Sequence, residues 1–318
     1  TLRDALARTF SVDPANITTG CGSDDVIDSA LRAFCEPGDR VAYPTPTFGV
    51  VPLFARMNAA APVEVALGAD LSLDAEALLA TGARATYICR PNNPTGTAFE
   101  RDAVARVVRG AAGVVLIDEA YADFSEDDVI ALALASDRAL VLRTLSKAWG
   151  MAGLRIGFAI GPAELIREVE KSRGPYKVGA LAEAAAVAAL ERDAAWMRAG
   201  VDQVRRNRDR LAEALDRIGT PPLPSAANFL LVPLPARLGT ATDAGARLRA
   251  GGVAVRPFRA LPSIGEAIRV TIGPWPMLES FLAAFTRLLE APDQPPAPRP
   301  LAESAATPHA HGSTRGDR

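Results

Sequence analysis

Short runs of apolar and β-branched residues alternate with stretches whose apolar positions recur at helical spacing. The short runs are Ile17–Thr19, Val41–Tyr43, Val63–Leu67, Thr86–Cys89, Val114–Asp118, Ala139–Arg143 and Arg155–Ile160. Each reads as a short strand. Between them, Asp24–Phe34 places Val26, Ile27, Ala30, Leu31 and Phe34 at helical spacing, after Gly20-Cys21-Gly22-Ser23. Asp74–Leu79 and Arg101–Val108 read as further helices, and Glu36-Pro37-Gly38-Asp39 as a turn. Alternation of this kind predicts an α/β fold, a three-layer sandwich with a mostly parallel sheet covered on both faces.

The pattern then changes. Residues 180–218 read as almost wholly helical, and Gly219-Thr220-Pro221-Pro222 ends the run. A small C-terminal α+β unit follows: strand Asn228–Val232, helix Asp243–Ala250, strands Val253–Arg256 and Ala267–Ile272, and helix Met277–Leu289. The expected division is a large domain over 1–190, an interdomain helix and small domain over 191–290, and a tail over 291–318. The tail holds six prolines and few bulky apolar residues, so it is expected to be disordered.

Composition narrows the chemistry. The only two histidines, His309 and His311, lie in the tail. This removes Ser-His-Asp and Cys-His centres from the body and leaves almost no material for a zinc site, so no metal is expected. Cys21, Cys35 and Cys89 are too few and scattered for a disulfide framework, which fits a reducing, cytoplasmic setting. A net charge of −2 does not suggest a nucleic-acid partner. No apolar run of about 18 residues suggests a membrane span. Proton transfers must then fall to Asp, Glu, Tyr, Lys or a cofactor.

Only Lys147, Lys171 and Lys177 are lysines in a chain otherwise given to arginine. Lys147 follows the run Ala139–Arg143, and strand ends in parallel sheets are where α/β proteins place ligands. Lysine can form a Schiff base where arginine cannot; a solvated surface lysine is the competing reading. Asp118 ends a buried apolar strand and needs a cation or hydrogen-bond donor beside it; a helix cap or structural ion pair would also explain it. Gly22-Ser23-Asp24 at a helix start reads as an anion site or as ordinary capping. Pro91-Asn92-Asn93-Pro94-Thr95-Gly96 reads as a stiff turn holding an Asn amide in a fixed direction. Arg155, eight residues after Lys147, could turn back toward the same crevice. Arg269 is a charge within an apolar strand.

Taken together and in order, Asn93-Pro94-Thr95-Gly96, Asp118-Glu119-Ala120-Tyr121 and Ser146-Lys147-Ala148 followed by Arg155 resemble the fold type I, class I/II pyridoxal-phosphate aminotransferases. The finer wording resembles the histidinol-phosphate aminotransferases. It comprises Gly22-Ser23-Asp24-Asp25, Pro46-Thr47-Phe48, Arg143-Thr144-Leu145-Ser146-Lys147-Ala148, Arg173-Gly174-Pro175-Tyr176 and Asn228-Phe229. The resemblance spans roughly residues 1–290.

It implies pyridoxal 5'-phosphate as cofactor and amino transfer between an amino donor and a 2-oxo acid, in histidine biosynthesis. Lys147 would be the Schiff-base lysine and proton shuttle, and Asp118 would keep the ring nitrogen protonated. Tyr121 and Asn93 would hydrogen-bond the ring hydroxyl, and Phe48 would stack on the ring. Gly22, Ser23 and Asp24, with Thr144, Ser146 and Arg155, would hold the phosphate. Arg269 would clamp a substrate carboxylate and Arg256 a substrate phosphate. A homodimer is also implied.

Three differences from the family wording bear on substrate: Val51 stands where Tyr is frequent, Lys177 where Asn is usual, and Pro274 where Thr is usual. The family also carries an N-terminal arm with Asn-Glu-Asn-Pro-like and Arg-Tyr-Pro-like segments. Neither is within residues 1–10, and the chain starts at Thr1, as a fragment lacking that arm would. The competing functions are an aromatic or other amino-acid aminotransferase, a threonine-phosphate decarboxylase-like enzyme, and a truncated cofactor-binding chain without turnover.

Overall fold

The computed structural model describes residues 1–290. The expectations for the tail, with His309 and His311, lie outside the described residues. The fold is α/β. Its main sheet has seven strands: β1 (Ile17–Cys21), β2 (Arg40–Thr45), β3 (Ala61–Ala66), β4 (Ala85–Cys89), β5 (Val114–Asp118), β6 (Ala139–Thr144) and β7 (Ile156–Ile160). Their spatial order is β1-β7-β6-β5-β4-β2-β3. Strands β3, β2, β4, β5 and β6 pair in parallel, while β7 runs antiparallel to both of its neighbours.

Period-two alternation sends successive side chains to opposite faces. In β5, Val115 and Ile117 enter one core and Val114 and Leu116 the other. The first core is covered by α1 (Leu2–Phe10), α4 (Ala75–Ala80), α5 (Arg101–Gly110), α6 (Ile130–Leu134) and α8 (Ala180–Arg192). The second is covered by α2 (Gly22–Phe34), α3 (Val51–Met57) and α7 (Ala163–Ser172). Asp118, two residues after Leu116, falls on the α2 face.

A long helix, α9 (Ala194–Arg217), leads to a second sheet of β8 (Phe229–Pro233), β9 (Arg256–Leu261) and β10 (Gly265–Thr271), antiparallel in the order β8-β10-β9. Helices α10 (Ala241–Ala250) and α11 (Trp275–Glu290) pack on it through Leu248, Phe281, Phe285 and Leu288.

Several details differ from the expectations. The run 180–218 is two helices, because α8 ends at Asp193 and α9 restarts at once. The strand expected at Val253–Arg256 starts at Arg256 instead. Val253 and Val255 are apolar because they pack on the core of the small sheet. The paired strand is the polar edge Arg256–Leu261, whose two arginines and proline hide it from a hydrophobicity pattern. Arg155 is not in a strand: it sits in the left-handed region at φ 54°, and β7 begins one residue later. Helices α1, α3, α6 and α7 have no counterpart in the expectations. In α7 only Ile166 and Val169 are buried, too sparse a stripe to declare itself.

Candidate active site

The carboxyl ends of β4, β5 and β6 face the amino end of α2 across a cavity of about 470 Å³, counted to its open mouth. It is lined by Ser23, Asp24, Phe48, Cys89, Asn93, Asp118, Ala120, Tyr121, Thr144, Ser146, Lys147 and Arg155. Every residue assigned to the cofactor lines it except Gly22, which lies just behind. Gly22 has φ +83°, and a Cβ there would fall 2.5 Å from the Arg155 guanidinium. Only glycine suits that conformation and leaves the arginine its space. Across the sheet, Gly157 lets β7 reach the start of α2. A Cβ on it would lie 2.1 Å from the Ser23 amide nitrogen.

No side chain caps α2. The first-turn amides therefore lack the usual internal acceptor and carry the positive end of the helix dipole. Asp25 accepts from the Cys21 amide at 2.9 Å and from Lys177 at 2.7 Å. Arg155 reaches Asp24 Oδ2 at 3.3 Å and Ser146 Oγ at 3.4 Å. The Thr144 hydroxyl lies 2.9 Å from both Ser146 Oγ and the Ile156 carbonyl. This end of the cavity gathers hydrogen-bond donors around an arginine, as an anion requires.

Asp118 stands at the other end. It is 3% exposed, and its hydrogen bonds come from the Tyr87 hydroxyl at 2.7 Å and the Ala120 amide at 3.0 Å. No side-chain cation pairs with it among the described residues. Burial pushes its pKa up to about 6 against the relief those two hydrogen bonds give. Lys147 opens into the cavity between these ends, with Nζ 5.4 Å from the centre of the Tyr121 ring. Partial burial, helped by Arg269, holds its ammonium below the ordinary lysine range. An amine held below its ordinary range and a buried carboxylate without a cation thus share one space.

The loops bearing these groups are cross-braced. Asn92 donates to the Pro46 carbonyl at 2.9 Å and accepts from Thr47 at 2.7 Å, which joins the Phe48 loop to the 91–96 turn. Glu119, beside Asp118, accepts from Arg143 Nε at 3.0 Å and Nη2 at 2.7 Å, and from the Val129 amide at 2.8 Å. Arg143 also reaches Asp123 and Asp128, each at 3.3 Å.

The small sheet stands beside this space without lining it, and its Arg269 meets the lining at Asn93. Arg269 donates to Asn93 Oδ1 at 2.5 Å and stacks 4.8 Å from the centre of the Phe229 ring. Phe229 in turn meets Tyr121 edge-on at 5.1 Å. The Arg269 Nε is buried with no partner. Arg256 sits directly opposite Arg269 in the β9–β10 ladder but is exposed, and neither arginine is part of the cavity lining.

Tyr87, Cys89, Ala120 and Asn92 were not among the candidates drawn from sequence. The period-two pattern of β4 puts Tyr87 and Cys89 on one face. That this face is Asp118's depends on the pairing of Cys89 with Asp118 across strands. Among the described residues, no group of three or more His, Cys, Asp or Glu side chains could hold a metal, and no helix is long and apolar enough to cross a membrane.

A lysine amine, a buried carboxylate and an anion cradle at the strand ends define a site for amine chemistry on a phosphorylated group. The chain belongs to the class I and II aminotransferases, whose family model matches residues 1–285. It is an aminotransferase. Its relatives include histidinol-phosphate aminotransferases. That of Caldanaerobacter subterraneus subsp. tengcongensis is 33% identical over 276 residues, 85% of this chain and 77% of the relative. That of Erythrobacter litoralis is 39% identical over 286 residues, 86% of this chain and 76% of the relative. The structure of histidinol-phosphate aminotransferase from Sinorhizobium meliloti in complex with pyridoxal-5'-phosphate superposes with a TM-score of 0.84 at 26% identity. It covers 91% of this chain and 81% of the other.

Proposed function

We propose that this chain catalyses reversible amino transfer between histidinol phosphate and 2-oxoglutarate, a step of histidine biosynthesis. Pyridoxal phosphate is the cofactor of the site. The observation that carries the reading is the buried carboxylate of Asp118, which lacks a cation, set across one cavity from Lys147 and an uncapped helix end. A protonated ring nitrogen supplies the charge Asp118 lacks, and a phosphate suits the donors at the other end. When bound, the cofactor contributes an aldehyde carbon that condenses with amines and an electron-poor ring that takes up charge from the substrate α-carbon.

The chain's residues do the rest. Lys147 would hold the cofactor through its amine and, as the base beside it, would move a proton at the substrate α-carbon. Asp118 keeps a proton on the ring nitrogen. Tyr121 and Asn93 hydrogen-bond the ring hydroxyl; with Asn93 Oδ1 accepting from Arg269, its amide NH2 remains to donate. Phe48 covers a ring face. The Ser23 and Asp24 amides, Thr144, Ser146 and Arg155 bind the phosphate, and Gly22 leaves room for Arg155. Arg269 takes the carboxylate of glutamate, and its unpartnered Nε supports that role. Arg256, on the same face of the small sheet, meets the phosphate of histidinol phosphate. The catalytic set is Lys147, Asp118 and Tyr121.

The cofactor unit spans residues 1–190, and the interdomain helix with the substrate-side unit spans 191–290. The enzyme acts in the cytoplasm as a homodimer. Three unpaired cysteines support the first statement. For the second, Leu154, Tyr176, Leu181 and Trp196 are exposed large apolar side chains, and Tyr176 is 96% exposed.

Two measurements test this reading. Purified protein given pyridoxal phosphate acquires visible absorbance from cofactor bound to Lys147; a folded protein that stays colourless rejects the cofactor. Glutamate formation from 2-oxoglutarate is faster with histidinol phosphate than with phenylalanine or tyrosine. Severalfold preference for phenylalanine rejects the substrate.

A further inference from the structure

We infer that Tyr87 is a positioning residue for the reaction: its hydroxyl holds Asp118 Oδ2 and keeps Asp118 in the carboxylate form that faces the ring nitrogen. The inference rests on the pyridoxal-phosphate reading of the cavity. Tyr87 lies in the middle of β4 and is fully buried, and its hydroxyl is 2.7 Å from Asp118 Oδ2. Burial and the neighbouring carboxylate push the phenol well above its ordinary pKa. It therefore stays protonated and can donate to Asp118 at any working pH.

The surroundings leave this task to Tyr87. On the same strand the Cys89 thiol is spent on the Pro91 carbonyl at 3.2 Å. From α2, Asp24 disfavours the Asp118 charge, and from the loop after β6, Lys147 favours it. Neither makes a hydrogen bond to Asp118. Tyr121 faces the carboxylate from the loop after β5 and also makes none. Apart from the Ala120 amide on Oδ1, Tyr87 is the sole hydrogen-bond donor to this carboxylate among the described residues. A phenylalanine would fill the β4 position and pack on α2 equally well. The hydroxyl adds one hydrogen bond, aimed at the group on which the ring's charge depends. With Oδ1 and Oδ2 each held by one donor, the carboxylate is braced against rotation where it lines the cavity.

Tyr87→Phe keeps the ring and its packing. In protein freed of cofactor and labelled with 13Cγ-aspartate, the Asp118 signal is identified by its loss in Asp118→Asn. Its titration midpoint rises in Tyr87→Phe by about one pH unit, the share of a hydrogen bond to a charged group. Replacing Tyr87 with 3-fluorotyrosine, a stronger donor of the same shape, lowers the midpoint instead and serves if the phenylalanine variant does not fold. In the loaded enzyme, Tyr87→Phe lowers kcat about tenfold and leaves KM for glutamate within about twofold, since a bond made only to the charged form acts on the chemical step. A midpoint unmoved in whichever variants fold, or an unchanged kcat in the phenylalanine variant, overturns the inference. Failure of wild-type protein to acquire visible absorbance overturns the cofactor reading instead, and that measurement involves no Tyr87 variant.

Discussion

The wall of the cavity built by β4, β5 and β6 is buried and cross-braced, while the small sheet, a second wall set just outside the lining, rests on Arg269 and, beyond it, the exposed Arg256. Asp118 is held by two hydrogen bonds, and its neighbour Glu119 is locked to Arg143. Arg269 meets the first wall through its bond to Asn93 and, by way of Phe229, at Tyr121. Groups that must stay still to within fractions of an ångström sit on the rigid wall. Groups that admit alternately different substrates sit on the thinner one. Substitutions on the first wall should damage chemistry and folding, and those on the second should alter selection.

Lys147→Ala is the largest expected loss. Removing the proton-moving amine should lower kcat by about 10³–10⁴-fold. The visible absorbance should vanish while the circular dichroism stays native. Retained turnover would move the catalytic amine elsewhere, and only Lys171 and Lys177 remain. Lys171 pairs with Glu168 on the exposed face of α7, and Lys177 is engaged by Asp25.

Arg143→Met tests the bracing itself. It leaves Glu119 buried without its cation, a type of loss that costs about 3–5 kcal/mol. Urea unfolding should show this even without cofactor, and Arg143→Lys should recover only part of it. A cost below about 1 kcal/mol would place the pair with ordinary surface salt bridges and remove the contrast between the walls.

Asp118→Asn should separate stability from function. The Asp118 pKa is raised in the folded protein to about 6, from 3.8. Its folded state therefore holds the proton more tightly, and the associated stability is present below pH 4 and lost as pH rises through 6. The cofactor-free wild type should fall behind Asp118→Asn by up to about 3 kcal/mol by pH 8, with little difference at pH 4. Urea titrations at both pH values measure this. A pH-independent difference would mean that Asp118 titrates normally. With cofactor the order of function reverses, because the asparagine cannot hold the ring proton.

How much of this could be read beforehand differs between the walls too. Strands β4 to β7 announce themselves because both faces are buried and nearly every residue is apolar. The helix start at Gly22 is marked by small residues and acids, and Lys147 stands out by the scarcity of lysine. Tyr87 and Asn92 stayed hidden because their importance is a matter of strand register and loop contact, which no local pattern encodes. On the second wall, β9 was displaced because Val253 and Val255 are apolar for packing rather than pairing. Arg269 was legible as a charge amid alternating apolar residues, but its bond to Asn93 joins residues 176 positions apart.

Arg155→Ala and Arg269→Ala compare the walls directly. Losing a charge-assisted contact at either end should cost about tenfold in the affinity it serves. For Arg155 that is cofactor retention, read by dialysis and absorbance. For Arg269 it is KM for glutamate, with the cofactor retained. The reverse pattern would mean the two arginines have been assigned the wrong anions.

Arg256→Gln should have the smallest effect. Its side chain is exposed, so water and salt weaken whatever field it casts on a phosphate. KM for histidinol phosphate should rise about threefold at low ionic strength and less at physiological salt. KM for glutamate should stay unchanged, because glutamate has no phosphate for Arg256 to meet. The paired position in the ladder adds a second expectation. Arg269 keeps its guanidinium charge with or without Arg256 beside it, so its grip on a carboxylate should not depend on Arg256. A rise in both KM values would show that the two arginines act as one clamp, and the second wall would then be less divided in its work than its exposure suggests.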